Sequence, residues 1–285
     1  MPTFPTPDPI DVSVEISYGR LTVAASDRGD SVVTVTPTRE TSSADRRAAE
    51  QTRVELSGGR LVVQGPRPRF SIIGPNESID IVIEVPSGSR LTADVGGRVT
   101  TTGRLGATRV KGSLGSIELD TVGDLWARAG HGNIEIGSAT GSAELTADHG
   151  RMRIGAIGGD ASLKSSHGEI TVDEVGGDLE AKLSYGELEI GRARGGVTAK
   201  TAYGSIRLGE VSSGSVQVDS GYGQIDIGVA PGVAVWLDAS SRDGRVRNQL
   251  EGAAAPGESD DSVAVRARTT YGDITITRSP KGQTS

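Results

Sequence analysis

One full unit of a repeat occupies residues 177–194, which read GDLEAKLSYGELEIGRAR. It contains two half-repeats, Gly-Asp-Leu-x-Ala-Lys and Tyr/His-Gly-x-Ile-x-Ile-Gly, and both recur along the chain. In each half-repeat apolar and polar residues alternate strictly over a few positions. This alternation is typical of a short strand that is buried on one face.

Glycine sets the period of the repeat. From Gly123 to Gly204 a glycine recurs every nine residues, and the series extends from Gly88 to Gly232 with one eight-residue and one ten-residue step. All three histidines and all five tyrosines directly precede a glycine. Glycine permits a positive φ or a close backbone approach at a corner. Two strands per 18 residues predict an all-β fold, a parallel β-solenoid whose coils stack into two facing sheets.

Two other architectures share parts of this period. A left-handed hexapeptide helix also has 18 residues per coil, but its apolar positions recur every six residues, unlike those of this chain. A calcium β-roll shares the nine-residue step but needs an aspartate in each turn as an oxygen ligand, and most turns here have none. Neither reading is favoured.

The alternation also predicts which side chains point into the core. In the Ile-x-Ile strands they are Ile117, Leu119, Ile134, Ile136, Met152, Ile154, Ile170, Val172, Leu188, Ile190, Ile206, Leu208, Ile225 and Ile227. In the Leu-x-Ala strands they are Leu125, Ala127, Ala143, Leu145, Ala161, Leu163, Leu179, Ala181, Val197, Ala199, Val216 and Val218. Because stacked strands lie roughly 4.8 Å apart, residues 18 positions apart should lie above one another. Lys182 and Glu189 should be exposed.

The ends of the chain depart from the repeat. Residues 1–87 are predicted to form N-terminal strands and a cap, 88–232 the regular repeats, 233–278 C-terminal cap strands and 279–285 a disordered tail, all within one continuous domain. A helix is predicted over 41–53, with Ser42 or Ser43 as its cap. Residues 263–268 and 271–277 are predicted as a closing pair of strands after a disordered loop, 251–261. Trp236 is expected to seal the core beside them.

Composition narrows the class of protein. The chain has no cysteine, so disulfides and thiol chemistry are excluded. A formal charge of −7 with mixed signs argues against nucleic acid as a partner. The N-terminal residues lack the pattern of a secretory signal, and no run approaches the roughly 20 apolar residues of a membrane span. We therefore expect a cytoplasmic protein with a protein partner and no cofactor, in an oligomeric state that the sequence does not specify.

The two half-repeats resemble the bacterial "putative adhesin" β-strand-repeat domain of unknown function, which is related to the head-GIN and toast-rack domains. Residues 83–91, IEVPSGSRL, and 271–276, YGDITI, match its pattern too, so the resemblance covers residues 10 to 278. It implies a right-handed β-solenoid without an established enzymatic activity. Through toast-rack relatives it implies a scaffolding role linked to cell-envelope stress or signalling.

A column of three histidines is the clearest chemical signal. His131, His149 and His167 are 18 residues apart, and Tyr185, Tyr203 and Tyr222 continue the column. Stacked imidazoles are candidate ligands of Zn²⁺ or Ni²⁺, or a pH switch in which like charges lower one another's pKa. Because tyrosine is a poor zinc ligand, its presence in the column favours a structural aromatic stack over a metal- or pH-responsive binding protein.

A second column gives a candidate interaction surface. Lys111, Arg128, Lys164, Lys182 and Lys200 share one outward position, which Thr146 interrupts and Asp219 ends. The column is interpreted either as a stripe for an anionic polymer or acidic partner, or as solvated charge balanced by Glu144 and Glu180 in the next column. Trp126 is expected to be exposed, and with Arg109 and Arg128 it marks the predicted contact surface.

Catalysis finds little support in the sequence. A carbohydrate-active β-helix enzyme needs a carboxylate pair or calcium-binding aspartates in a groove built by long loops, and the turns here are uniformly short. Ser165, Ser166 and Ser184 are interpreted as small turn residues. The sequence thus predicts a non-enzymatic interaction or scaffolding protein, with the metal- or pH-responsive protein second and the enzyme third.

Overall fold

The structure is a computed structural model that describes residues 2–66, 77–250 and 262–280. The chain divides into two compact units, Met1–Thr140 and Gly141–Ser285. The predicted boundaries after residues 87 and 232 stay a prediction. Within the described ranges, no helix is long and apolar enough to cross a membrane.

The first unit is built from strands β1 to β13 and one helix, α1. Their bounds are β1 Thr3–Pro5, β2 Asp11–Ile16, β3 Gly19–Ser26, β4 Asp30–Pro37, α1 Ser43–Gln51, β5 Arg53–Ser57, β6 Arg60–Gln64, β7 Ile79–Pro86, β8 Arg90–Val95, β9 Arg98–Thr102, β10 Thr108–Gly112, β11 Ile117–Val122, β12 Leu125–His131 and β13 Ile134–Ala139.

These strands form two sheets. In the first sheet the order is β1-β4-β7-β3-β9-β11-β13, and in the second it is β12-β10-β8-β2-β6-β5. At the N-terminal end the pairs β1–β4, β4–β7 and β5–β6 are antiparallel, whereas β3, β8, β9, β10 and β11 pair in parallel with their neighbours. The antiparallel strands replace the repeat where it begins.

The helix confirms the prediction for residues 41–53. α1 begins after Ser42, whose Oγ accepts a hydrogen bond from the backbone N–H of Asp45 at 3.2 Å. It packs against β4 and β7, with Ala48 fully buried. The side chain of Asp45 is buried too, and it accepts hydrogen bonds from Arg39 Nε at 2.9 Å and from the backbone N–H of Ser78 at 3.3 Å.

The second unit continues in the same style with β14 to β27. Their bounds are β14 Ala143–His149, β15 Met152–Ile157, β16 Ala161–His167, β17 Ile170–Val175, β18 Leu179–Tyr185, β19 Leu188–Ala193, β20 Val197–Tyr203, β21 Ile206–Val211, β22 Gly214–Tyr222, β23 Ile225–Val229, β24 Ala234–Asp243, β25 Val246–Asn248, β26 Ser262–Tyr271 and β27 Ile274–Arg278.

Its two sheets are wholly parallel in the described pairs. The first sheet runs β15-β17-β19-β21-β23-β27-β25 and the second β14-β16-β18-β20-β22-β26-β24. Leu179, for example, lies beside Ala161 on one side and Val197 on the other, so residues 18 apart are neighbours as predicted. The fold is a parallel β-solenoid, with one strand of each sheet per coil.

The core agrees with the predicted alternation. Every predicted inward residue of both strand sets is buried, while Lys182 and Glu189 are exposed. Each strand also buries a third position that was not predicted. In the first sheet it holds apolar residues such as Val175 and Val211, and in the second it holds Ala147, Ser165, Leu183, Thr201 and Ser220 in successive coils.

The serine interpretation was therefore partly wrong. Ser165 and Ser166 lie within β16 and Ser184 lies within β18, not in turns. Ser165 is 5% exposed and occupies the buried third position. A polar residue there interrupts the apolar pattern, which is why the sequence alone did not reveal that the strand continues.

The order of the last coils also corrects a prediction. β26 lies between β22 and β24, and β27 lies between β23 and β25, so the predicted closing pair is followed in space by β24 and β25. β26 pairs with β22 because their sequences match closely: both strands end in a tyrosine followed by a corner glycine, Tyr271-Gly272 and Tyr222-Gly223. β24 carries Asp243-Gly244 at the same place and takes the end position.

Trp236 does not seal the core. Its side chain is 70% exposed, because Trp236 lies beside the exposed Ala264, at an outward position of the end strand β24. The predicted loop 251–261 lies outside the described residues, as do residues 281–285 of the predicted tail. Ser279, the first residue of that tail, is buried, and its backbone N–H donates to the carbonyl of Val229 at 2.9 Å.

Glycine is required at the corners by close approach of neighbouring coils. Gly204 has a φ of +148°, and a Cβ atom built there would lie 1.9 Å from the carbonyl oxygen of Gly186. A Cβ atom built at Gly186 would lie 2.1 Å from the carbonyl oxygen of Gly168. No side chain fits between these backbones, so the repeated glycine after each aromatic residue allows the coils to stack.

Candidate functional site

Six aromatic side chains form a continuous stack along one edge of the second unit. We call this set the aromatic file; its members are His149, His167, Tyr185, Tyr203, Tyr222 and Tyr271. Each is the last residue of a second-sheet strand, directly before a corner glycine. Neighbouring ring centroids lie 4.7–5.1 Å apart with interplanar angles of 3–9°. The parallel register of the strands therefore imposes the stack.

The file leaves ring edges and hydroxyl groups open to solvent. Tyr185, Tyr203, Tyr222 and Tyr271 are 44–49% exposed although their inner faces are covered by neighbouring rings. Among the described residues, none forms a hydrogen bond with these four phenolic hydroxyls. The file thus presents a row of polar groups at the spacing of the coils.

The predicted column is confirmed from His149 to Tyr222, and Tyr271 extends it. Tyr271 stacks on Tyr222 because β26 is inserted beside β22. On the other side of Tyr271 the position belongs to Asp243. His131 ends β12 of the first unit and is exposed, and its membership of the file stays a prediction.

The stacked geometry does not favour a shared metal ion. The rings of His149 and His167 are parallel within 4°, with centroids 4.9 Å apart. The lone pair of an imidazole nitrogen lies in its own ring plane, so an ion in the plane of one ring lies outside the plane of the other. Within residues 2–66, 77–250 and 262–280, no group of three or more His, Cys, Asp or Glu side chains is placed to hold a metal ion.

Three lysines of the second unit lie side by side on the outward face of the second sheet. In the strand register Lys164 pairs with Lys182 and Lys182 with Lys200, and we call these three the lysine column. The next register position on one side is Thr146, and on the other side it is Asp219. The predicted order of the column is thus confirmed within this unit.

The charges of the lysine column are only partly balanced. Lys182 forms an ion pair with Glu180, and the hydrogen bond from Lys182 lowers the pKa of the Glu180 carboxyl. Lys164 and Lys200 form no ion pair with any described residue, although the charge of Lys164 also lowers the pKa of the Glu180 carboxyl and Asp219 is the register neighbour of Lys200. In the strands of Lys164 and Lys200, the position equivalent to Glu180 is occupied by Ser162 and Thr198, respectively. Neither of these residues carries a carboxylate.

Beside the lysine column the surface is depressed. One shallow depression is lined by residues that include Lys164, Ser166, Lys182 and Ser184. A second lies on the following strands, and its lining residues include Lys200, Ala202, Asp219, Gly221, Ser240, Arg242, Arg268 and Thr270. β18 and β20 are paired, so the two depressions follow one another across the strands. We call them together the groove.

The remaining predicted contact residues belong to the first unit. The guanidinium carbon of Arg109 lies 3.7 Å from the centroid of the Trp126 ring, a cation–π arrangement. Trp126 is half-buried, which corrects the expectation that it is an exposed aromatic residue, because Arg109 covers its face. Lys111 pairs in register with Arg128 and forms an ion pair with Asp94 at 2.9 Å.

The sequence pattern placed Ser166 and Ser184 in turns and did not indicate the groove that they line. Ser166, Ser184 and Ala202 recur at 18-residue spacing, directly before the aromatic residues, so the signal was present in the repeat. Among the described residues, the exposed large aromatic residues are the tyrosines of the file and Trp236, and not Trp126.

The repeat and its corner glycines recur in both units, and a family model matches residues 12–277. The chain belongs to the Toastrack DUF4097 family. Comparison with curated proteins finds no match.

The chain is also similar to solved structures of several bacterial proteins. A "putative adhesin" from Parabacteroides distasonis has 11% identity and a TM-score of 0.36, with coverage of 97% of this chain and 95% of that chain. One from Bacteroides fragilis has 11% identity and a TM-score of 0.36, with coverage of 96% and 95%. A "putative cell adhesion protein" from Clostridium sporogenes has 11% identity and a TM-score of 0.26, with coverage of 97% and 98%. Likeness at this level carries no residue role over to this chain.

Proposed function

We propose that the protein is a non-enzymatic binding and scaffolding module that holds a partner against the outward face of the second sheet in the second unit. The observation that carries this proposal is the lysine column, since Lys164 and Lys200 are without ion pairs among the described residues of a protein with a net charge of −7. Unpaired cations in a regular row on an acidic protein are a local surface for an anionic partner.

A non-enzymatic role is supported by the composition of the groove. Of its lining residues only Asp219 carries a carboxylate. Glycoside hydrolysis uses a pair of carboxyl groups on either side of the scissile bond, and the groove does not supply that pair. A role in cell-envelope stress or signalling is the process we propose for the module, from membership of the toast-rack family.

The contact residues predicted from sequence form two candidate surfaces, one in each unit. The lysine column is the principal one, and Arg109, Trp126 and Arg128 of the first unit form a second candidate contact. Because Arg109 already covers the ring of Trp126, a partner would meet the guanidinium rather than the indole face.

The test is capture from a native cell extract with variants matched in charge. The substitutions Lys164→Gln, Lys182→Gln and Lys200→Gln together remove the lysine column. The control substitutions Arg153→Gln, Arg192→Gln and Arg207→Gln remove the same charge from strands β15, β19 and β21 of the other sheet. We expect the lysine variant to lose the captured component at least tenfold and the arginine variant to retain it. Equal capture by both variants, with unchanged melting midpoints, would refute the proposed binding face.

A further inference from the structure

We propose that the groove binds a linear acidic polysaccharide, a polymer of sugars that carry carboxylate groups. This inference rests on the proposed function, because it names the chemical class of the partner at the lysine column. It depends on three properties of the second unit, which are the charge of the groove, its row of hydroxyl groups and the spacing of both.

The charge of the groove is opposite to that of the protein. Five cationic side chains line it, Lys164, Lys182, Lys200, Arg242 and Arg268, against the single carboxylate of Asp219. Three of the five, Lys164, Lys200 and Arg242, form no ion pair with any described residue. A cationic strip on a protein of net charge −7 attracts an anionic chain locally while the rest of the surface repels it.

Hydroxyl groups accompany the cations. Ser166, Ser184, Ser240 and Thr270 lie among the small residues of the groove. An acidic sugar offers two kinds of group to this surface. Its carboxylates can pair with the lysine and arginine side chains, and its hydroxyls can form hydrogen bonds with the serine and threonine hydroxyls.

Single-stranded nucleic acid fits this surface less well. Nucleic-acid grooves combine cations with exposed aromatic faces on which bases stack. Here the ring faces within the file are occupied by neighbouring rings at 4.7–5.1 Å, and only their edges are open. A base therefore finds phosphate-binding charge in the groove but no stacking platform between the rings of the file, and the exposed ring of Trp236 is not among the groove-lining residues.

An acidic extended peptide fits less well for a reason of spacing. Lysines in paired strands recur at the distance between strands, about 4.8 Å. Side chains on one face of an extended peptide recur every two residues, or about 6.6 Å. Carboxylates of such a peptide fall out of register with the lysine column within two coils.

The inference changes the expected location. Acidic polysaccharides of bacteria lie mainly at the cell envelope, so a polysaccharide-binding role predicts that the protein is found there and not in the cytoplasm. Fractionation of native cells with an antibody against this chain provides an independent readout.

The test measures the affinity of the full chain for polygalacturonate by calorimetry, with dextran as the neutral polymer. We expect polygalacturonate to bind at least tenfold more tightly than dextran and to weaken as salt is raised, because exposed charges are screened. The affinity for polygalacturonate should fall at least tenfold in the triple lysine variant and less than threefold in the arginine control. The pair Ser166→Ala and Ser184→Ala removes two hydroxyls that line the groove, and should weaken binding about threefold.

The competing partners separate this inference from the proposed function. If polyglutamate or single-stranded DNA binds more tightly than polygalacturonate, and the lysine variant abolishes that binding, the polysaccharide is refuted while the binding face stands. Polygalacturonate binding that the lysine variant leaves unchanged also refutes the inference. If the lysine variant alters neither polymer binding nor capture from extract, both proposals fail. A single substitution, Lys164→Glu, repeats the test should the triple variant melt at a lower temperature.

Discussion

The N-terminal end of the first unit and the regular coils of the second unit bury their side chains by different means. At the N-terminal end, antiparallel strands and α1 close the sheets through contacts that occur once, such as the pair of Arg39 and Asp45. In the regular coils each side chain meets the equivalent side chain of the next coil, as His149 meets His167 and Leu179 meets Val197.

The difference predicts where substitutions are tolerated. A contact that occurs once is not replaced by an equivalent contact elsewhere, so removing it costs its full contribution to the free energy of unfolding. A column position accepts a side chain of similar shape, as histidine and tyrosine replace one another in the aromatic file. Alanine and leucine exchange only in compensating pairs, Ala161 and Leu163 against Leu179 and Ala181. The exception within the coils is the backbone corner, where neighbouring coils leave no room for a side chain.

The largest effect is expected at a corner glycine. Gly204→Ala would place a Cβ atom 1.9 Å from the carbonyl oxygen of Gly186, so the coils must separate. We expect a loss of more than about 4 kcal/mol, in the range reserved for severe changes. Gly232→Ala is the matched control, because Gly232 also has a positive φ but a Cβ there meets no atom within 4 Å. It should cost about 1–2 kcal/mol. Urea unfolding followed by circular dichroism measures both, and equal losses would contradict the close-approach argument.

A smaller loss is expected at the unique contact of the N-terminal end. Asp45→Asn removes the charge that accepts hydrogen bonds from Arg39, and a hydrogen bond to a charged group contributes about 2 kcal/mol. Glu50→Gln on the exposed side of α1 is the control and should change stability by less than about 0.5 kcal/mol.

The same pair sets a pH dependence. The hydrogen bond from Arg39 lowers the pKa of Asp45 below its ordinary value of 3.8. As the pH falls, Asp45 is therefore protonated first in the unfolded chain. The stability that its carboxylate supplies is fully present above pH 3.8. It is lost as the pH falls from 3.8 through the lower pKa of Asp45 in the folded state. The difference between wild type and Asp45→Asn should shrink over that window in unfolding curves recorded from pH 6 to about pH 2. A difference that stays constant with pH would show that the charge is not the source.

A gain in stability is expected inside the coils. The Ser165 hydroxyl is buried without a hydrogen-bond partner among the described residues, and the same column holds Ala147 one coil earlier. Ser165→Ala should stabilise by about 1 kcal/mol, because an unsatisfied buried hydroxyl is removed. Ser220→Ala in the same column should destabilise by a similar amount, since Ser220 Oγ donates to the carbonyl of Gly204 at 3.1 Å. Thermal melting of the two variants must give shifts of opposite sign for this reading to hold.

The smallest effect is expected in the aromatic file. His149→Tyr places a tyrosine where Tyr185 already stands two coils further on, so stability should change by less than about 0.5 kcal/mol. Calorimetry with Zn²⁺ or Ni²⁺ should give a Kd no tighter than about 10⁻⁵ M for the wild type. Stoichiometric binding tighter than this, lost in His149→Tyr, would instead support a metal-responsive protein.

The repeat determined by itself most of what the regular coils look like. Strict alternation assigns Ile170 and Val172 to the core and Lys182 to the surface, because successive side chains of a strand point to opposite faces. The 18-residue spacing brings His149 beside His167, because one coil adds one strand to each sheet. The helix after Ser42 was also predictable, since capping is a local interaction within one turn.

The tertiary structure alone decided the features that depend on residues distant in sequence. The insertion of β26 and β27 between earlier coils follows from competition among similar half-repeats, which local patterns cannot rank. Trp126 is covered because Arg109, one coil away, reaches over its ring, and Trp236 is exposed because it faces outward from the end strand. The groove, likewise, exists because parallel register aligns the lysines and the small residues of successive strands. Periodicity specifies which face a side chain takes, whereas its neighbours across the sheet are set by the pairing of the whole chain.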